Sequence, residues 1–69
     1  MLTDRLHAYN GLIDTADIRG WVTLLGTTKT GWWLEVRDSG ELLARSRGVS
    51  LEGCGRECGE SLEKSGRLR

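Results

Sequence analysis

The sequence is poor in the residues that usually build a large core. It has no phenylalanine and no proline, a single histidine and tyrosine, and two cysteines among its 69 residues. A chain of this length makes one small domain, residues 1–69, because folding at this size buries only about 60% of the unfolded surface. Three tryptophans supply most of the large apolar volume. We therefore expect low stability and a core that a partner or a second copy of the chain helps to complete.

No charge of one sign is in excess, and no long apolar run occurs. Ten Lys and Arg balance ten Asp and Glu, which argues against a strongly basic nucleic-acid binder and against an acidic mimic of nucleic acid. No run approaches the roughly 18 apolar residues of a membrane span, and the amino terminus is unlike a signal peptide. Cys54 and Cys58 stand four apart in a predicted helix, where their Cβ atoms are poorly aimed for a disulfide. Two free thiols favour a cytoplasmic protein. The lack of a long apolar run predicts that it has no membrane partner.

The spacing of apolar residues along the chain predicts a helix, three strands and a second helix, in that order. The first helix is marked by apolar residues four, three and four apart, namely Leu2, Leu6, Tyr9 and Ile13, and Thr3 or Asp4 is predicted to lie near its start. Polar residues 14–17 are predicted to connect it to strands over 18–25, 32–37 and 41–47, which are separated by glycine-containing turns. The second helix follows the N-cap Ser50 with Leu51, Cys54, Cys58 and Leu62. The expected fold class is α+β, an α-β-β-β-α domain with a three-stranded antiparallel sheet and both helices on one face.

Adjacent tryptophans in the stretch GWWLEV must point to opposite faces of a strand. Trp33 alternates with Glu35 and Arg37, so it is predicted to face solvent, while Trp32 faces the core. The same rule buries apolar residues of the neighbouring strands, namely Ile18, Val22, Leu24, Leu42 and Ala44. The candidate partner-binding residues, all expected on the outward face, are Arg19, Trp21, Trp33, Arg37, Leu43, Arg45 and Arg47. Exposed tryptophan beside arginine is typical of interaction surfaces.

Catalytic and metal chemistry are not predicted. His7 is the only histidine, and a helical histidine of this kind is more often a surface side chain than a general base. A zinc site formed by His7, Cys54 and Cys58 is not predicted, because the two cysteines do not have the C-x-x-C spacing and a fourth ligand is missing. Asp14 and Asp17 suit a turn or a cap. We expect a non-enzymatic protein with no catalytic residue, no metal and no cofactor.

Residues 31–36, the glycine turn after them and Ser50-Leu51-Glu52 at a helix start resemble HicB-type antitoxins. The pattern covers about half the chain. Gly53 and Cys54 stand where that family usually continues with Glu-Ala and then a separate DNA-binding segment. The resemblance implies that the sheet and helix bind a toxin-like protein, without operator binding.

The same strands also resemble the arm-site DNA-binding domains of tyrosine integrases. The match runs through GWW, VRD, Gly40 and the pair Arg45 and Arg47. This resemblance implies a sheet that enters the major groove, with arginines on phosphates or guanine edges. The neutral total charge and Glu35 in the middle of the face oppose it.

The sequence favours a regulatory or inhibitory module that binds a protein. A compact single domain without catalytic groups is also the form of many phage or mobile-element inhibitors of host defence complexes, such as anti-CRISPR proteins. Three alternatives stay open: a sheet-based DNA or RNA binder whose tryptophans stack on bases, an antitoxin-like toxin-binding domain, and a homodimer that hides the outward face.

Overall fold

A computed structural model describes residues 6–68 and has the predicted order of elements. Helix α1 spans His7–Arg19 and is followed by β1 (Val22–Thr27), β2 (Trp32–Asp38), β3 (Glu41–Gly48) and helix α2 (Leu51–Lys64). The strands form one antiparallel sheet in the order β1-β2-β3. The predicted α+β fold with an α-β-β-β-α order is confirmed.

Helix α1 is longer than predicted, and this changes what precedes the sheet. The polar stretch 14–17 was expected to be a connection, but it lies within the helix, where Asp14 and Asp17 face solvent while Leu12 and Ala16 are buried. The helix ends at Gly20, which takes a left-handed φ of 76°, and the Trp21 N–H donates to the Ala16 carbonyl at 2.8 Å. The predicted start at Thr3 or Asp4, and the apolar Leu2, lie outside the described residues.

Because α1 runs to Arg19, the first strand begins four residues later than predicted. Ile18 is a helical residue with 84% of its surface exposed, so its predicted burial in a strand is wrong. The β1–β2 hairpin closes where the Thr28 N–H donates to the Gly31 carbonyl at 2.8 Å, around a two-residue turn. This turn fixes the register, which pairs Thr27 with Trp32.

The second hairpin turns at Ser39 and Gly40, both with positive φ (52° and 88°), as a type I′ turn requires. A β-bulge then shifts the register of β2 against β3 at Val36/Arg37. The bulge places one additional residue in β3, so strict alternation fails there. The predicted burial of Ala44 is confirmed, but Leu43 is buried and Leu42 is 41% exposed, the reverse of the prediction.

Helix α2 begins as predicted, because the Ser50 side chain accepts a hydrogen bond from the Gly53 N–H. Its apolar stripe packs across β2 and β3, and α1 packs on α2. The buried Ser46 hydroxyl donates to Glu57 at 2.5 Å and ties β3 to α2. Neither helix of residues 6–68 has the length and apolar content needed to cross a bilayer.

The core therefore lies between the helices and one face of β2 and β3. Its buried members are Leu12, Leu34, Val36, Leu43, Ala44, Cys54, Cys58 and Leu62, with Tyr9, Trp21, Trp32 and Leu68 packed around them. Strand β1 contributes no buried residue. The helices thus cover two of the three strands well and leave β1 at the margin.

Candidate partner-binding face

The sheet face opposite the helices, called here the open face, carries three rows of side chains that run across the strands. Directly opposed residues of antiparallel strands share a face, so the register defines each row. From one end of the sheet to the other, the rows are Val22, Arg37 and Leu42; Leu24, Glu35 and Arg45; and Gly26, Trp33 and Arg47. The central strand supplies the tryptophan and both ends of a charge pair, while β1 supplies only apolar or small residues.

Four of the seven predicted site residues lie on the open face: Trp33, Arg37, Arg45 and Arg47. Their placement agrees with the prediction, and their part in binding stays a prediction. Leu43 does not belong with them, because the bulge turns its side chain into the core, where it is only 9% exposed.

Arg19 and Trp21 are also absent from the open face. Arg19 is the last residue of α1, and its guanidinium lies 5.4 Å from the centre of the Trp21 ring, within cation–π range. It also donates to the Arg67 carbonyl at 2.7 Å. Trp21 is half-buried against the core. Arg19 therefore holds α1 to the chain that follows α2, and the prediction of both residues as neighbours of Trp33 on the outward face is wrong.

Sequence reasoning missed three exposed apolar residues of the open face. Val22 is 56% exposed, and Leu24 and Leu42 are each 41% exposed, although all three were predicted to be buried. For β1, the length of the turn between β1 and β2 could have predicted that Val22 and Leu24 lie on the open face. A two-residue turn at Lys29 and Thr30 places Leu24 opposite Glu35, and therefore on the charged side of the sheet.

The Trp33 ring packs against the backbone of Gly26, a cross-strand partner that has no side chain. A Cβ atom on Gly26, its cross-strand partner, would collide with the indole ring. The ring therefore lies over the Gly26 backbone, and Trp33 is half-buried although nothing from the helical layer covers it. An aromatic side chain held this way can contact a partner with little loss of rotamer freedom.

Glu35 organises the charges of the open face. Its carboxylate is 3.0 Å from Nε of Arg37 and 3.6 Å from Nη1 of Arg45, and its side chain is only 14% exposed. Arg37 also donates to the Gly40 carbonyl at 2.9 Å, which fixes its direction. Arg47 has no ion pair within residues 6–68 and is exposed. Three arginines face one glutamate, so the open face is positive although the chain as a whole is neutral.

A concavity of about 370 Å³ lies at the Trp33 end of the open face. Its lining combines an indole ring, two guanidinium groups, a carboxylate and a hydroxyl, contributed by Trp33, Arg45, Arg47, Glu35 and Thr28. Apolar surface in the middle with charges and donors at the rim is the usual composition of a protein interaction site.

The two thiols lie on the other side of the sheet, inside the core. Cys54 and Cys58 are fully buried, and their sulfur atoms lie 3.7 Å from the carbonyl oxygens of Trp32 and Leu34. Burial is the largest cause that raises the pKa of the Cys58 thiol to about 11, and the neighbouring Cys54 and Glu57 add to it. A thiol that stays protonated is a poor nucleophile and a poor metal ligand. We assign both cysteines to core packing.

Across the described part of the chain, no cluster of three or more His, Cys, Asp or Glu side chains could hold a metal ion. His7 is exposed in the first turn of α1, and the buried thiols lie at the sheet. No protein-family model matches this chain, and comparisons with curated proteins and with solved structures also find no match.

Proposed function

We propose that this protein is a non-enzymatic regulatory or inhibitory module that binds another protein through the open face. The observation that carries the proposal is the seating of Trp33 over Gly26, beside the exposed Arg47 and the concavity. Large apolar rings that face solvent cost solubility unless a partner covers them, and tryptophan and arginine dominate interface energies.

The charge pattern indicates the character of the partner. Arg45 and Arg47 border the concavity, and Val22, Leu24 and Leu42 surround the rest of the face with apolar surface. An acidic protein surface with an apolar centre fits this arrangement, because its carboxylates can pair with the arginines while its apolar side chains cover Trp33. A component of a host defence complex, inhibited by a phage or mobile-element protein of the anti-CRISPR kind, is one such partner, and a toxin bound by an antitoxin-like domain is another.

A sheet-based DNA or RNA binder is the second candidate. It is supported by the same ring and arginines, because an indole can stack on a base while guanidinium groups contact phosphates. Glu35 counts against it, since this carboxylate occupies the centre of the face and already pairs with Arg37 and Arg45. We therefore rank protein binding first.

The test is a capture experiment with three immobilised forms of the full chain: the wild type, Arg47→Glu and Lys64→Glu. Lys64 is an exposed residue in the last turn of α2, so its reversal matches the change in net charge away from the open face. We expect the same protein to be retained by the wild type and by Lys64→Glu but lost by Arg47→Glu. Equal retention by all three forms would contradict the proposal.

Nuclease treatment and salt distinguish the two candidates. Retention that disappears after nuclease digestion, or falls steeply with added salt, would favour nucleic acid, because each phosphate contact releases counterions. Retention that survives both, and is weakened by Trp33→Ala, supports a protein interface centred on the indole ring.

A further inference from the structure

The outer edge of β1 carries unpaired backbone groups whose positions follow from the hairpin. Paired residues in an antiparallel ladder alternate between hydrogen-bonded and non-hydrogen-bonded pairs. Thr28 and Gly31 form a hydrogen-bonded pair, so the next such pairs are those of Gly26, Leu24 and Val22 with β2. The N–H and C=O groups of Thr23, Leu25 and Thr27 therefore point away from β2, toward an edge that no strand of the described residues covers.

Within residues 6–68, this edge lacks the features by which proteins usually prevent edge-to-edge pairing. Those features are charged side chains, proline, bulges or a covering element. Residues 20–28 contain no charged residue and no proline, and the β1–β2 register is continuous. Leu25 lies on the helical side of the sheet, as its pairing with Leu34 shows, yet it is 43% exposed because the helices do not extend over β1.

We infer that β1 pairs with β1 of a second copy, antiparallel, about a two-fold axis at Leu25. In this register Leu25 is opposite its own equivalent, and Thr23 is opposite Thr27 of the second copy. All three free-edge residues of each strand then form hydrogen-bonded pairs, and every N–H and C=O group of Thr23, Leu25 and Thr27 finds a partner.

The side chains favour the same register. On the helical side, the two Leu25 side chains meet and cover each other's exposed surface. On the open face, Leu24 lies opposite Gly26 of the second copy and therefore beside the indole ring of that copy's Trp33. No like charges are brought together, because the strand has none. A foreign strand would need to match this pattern by chance, whereas a second copy matches it by symmetry.

The dimer would have one continuous six-stranded sheet. The two-fold axis of an antiparallel strand pair is perpendicular to the sheet, so both open faces lie on the same side and both helical layers on the other. Strands are about 4.8 Å apart, which places the two β2 strands about 14 Å from each other. The pairing is made by backbone groups of the free edge and needs no partner bound to the open face, so this inference does not depend on the proposed function.

The first test measures the mass of the full chain by sedimentation velocity over a wide concentration range, with two matched variants. Leu25→Lys places a charge on the free edge, and Leu42→Lys places the same charge on β3 at a position of nearly equal exposure, 41% against 43%. We expect the wild type and Leu42→Lys to double in mass with concentration, and Leu25→Lys to remain a monomer with an unchanged circular dichroism spectrum. A wild type that stays a monomer, or a folded Leu25→Lys that still dimerises, would overturn the inference.

Hydrogen exchange on the wild type tests the register without a substitution. At dimer-forming concentrations we expect the amides of Thr23, Leu25 and Thr27 to gain protection, while those of Leu24 and Gly26, already bonded to β2, change little. Dimerisation without protection of these three amides would also overturn the inference. Arg47→Glu is expected to dimerise like the wild type, so failure of the proposed function and failure of the dimer give different results.

Discussion

The two edges of this three-stranded sheet are built in opposite ways. Strand β3 carries Glu41, Arg45 and Arg47, is interrupted by a bulge, and has α2 packed across it. Strand β1 is uncharged, regular and little covered. Charged side chains and bulges are known obstacles to edge pairing, and β1 has neither. The difference indicates that β3 is an edge adapted to solvent, whereas β1 is suited to pairing.

The same asymmetry appears in the core. The apolar residues of α2 pack on β2 and β3, so the stability of the isolated chain depends mainly on that half of the sheet. The following predictions test the contrast between the covered strands and β1, from the largest expected effect to the smallest.

The largest effect should be the difference in stability between truncating one member of a cross-strand pair and truncating the other. Leu34 is fully buried, whereas its partner Leu25 is 43% exposed. We expect Leu34→Ala to lower the free energy of unfolding by about 2–5 kcal/mol because it leaves a cavity in the core. Leu25→Ala should cost less than about 1 kcal/mol in the monomer. Urea titrations at low protein concentration measure both, and similar losses would contradict the asymmetry.

The next effect concerns the contact that holds α1 to α2 over the covered strands. A Cβ atom on Gly55 would lie 2.5 Å from Cα of Tyr9, whereas one on Gly59 meets nothing within 4 Å. We expect Gly55→Ala to destabilise the fold by about 1–3 kcal/mol, since the backbone of α1 must move. Gly59→Ala should stabilise it by up to about 1 kcal/mol through helix propensity. Thermal unfolding of the pair checks the opposite signs.

Burial of Cys58 beneath β2 predicts a loss of stability at alkaline pH. The folded thiol titrates at about 11 against an ordinary pKa of 9.0, so the unfolded chain releases its proton first as pH rises. The contribution is fully present below pH 9.0 and is lost progressively as pH rises through about 11. Cys58→Ala is the control. Urea titrations across this pH range should show a steeper decline for the wild type.

The smallest effect is expected from Glu52, which links the start of α2 to the start of α1. Its carboxylate accepts hydrogen bonds from the N–H groups of Tyr9 and Ala8, at 3.0 and 2.7 Å. The Tyr9 bond is the largest cause that lowers the pKa of Glu52, and Arg56 and His7 add to it. A lowered pKa adds stability above the ordinary value of 4.5, which is lost as pH falls through the folded value. Glu52→Ala should remove this acid dependence, as thermal unfolding against pH would show.

The order of elements could be predicted from the sequence because periodicity and caps are local signals. Ser50, the glycine turn at Gly40 and the helical spacing of Cys54 and Cys58 each agreed with the structure. The end of α1 could not be predicted in this way. Its polar residues lie on the solvent side of a helix, where they give the same signal as a loop, and only the αL conformation of Gly20 marks the end.

The site was predicted only where alternation was unbroken. In β2 it placed Trp32 and Trp33 on their correct faces. In β1 the apolar character of Val22 and Leu24 suggested burial, but the turn geometry placed both on the open face, and hairpin register outweighs side-chain preference. In β3 the bulge exchanged the faces of Leu42 and Leu43, and a bulge is a tertiary feature that leaves little local trace.

The contact between Trp33 and Gly26 has a consequence for how the chain folds. The indole ring needs a strand partner with no side chain, and Gly26 is the only glycine of β1. If the hairpin slipped by two residues, the ring would meet Leu24 or Thr28 instead and could not lie against the backbone. Gly26 therefore favours the observed alignment of the strands, because a misaligned hairpin loses the packing of the ring against the backbone.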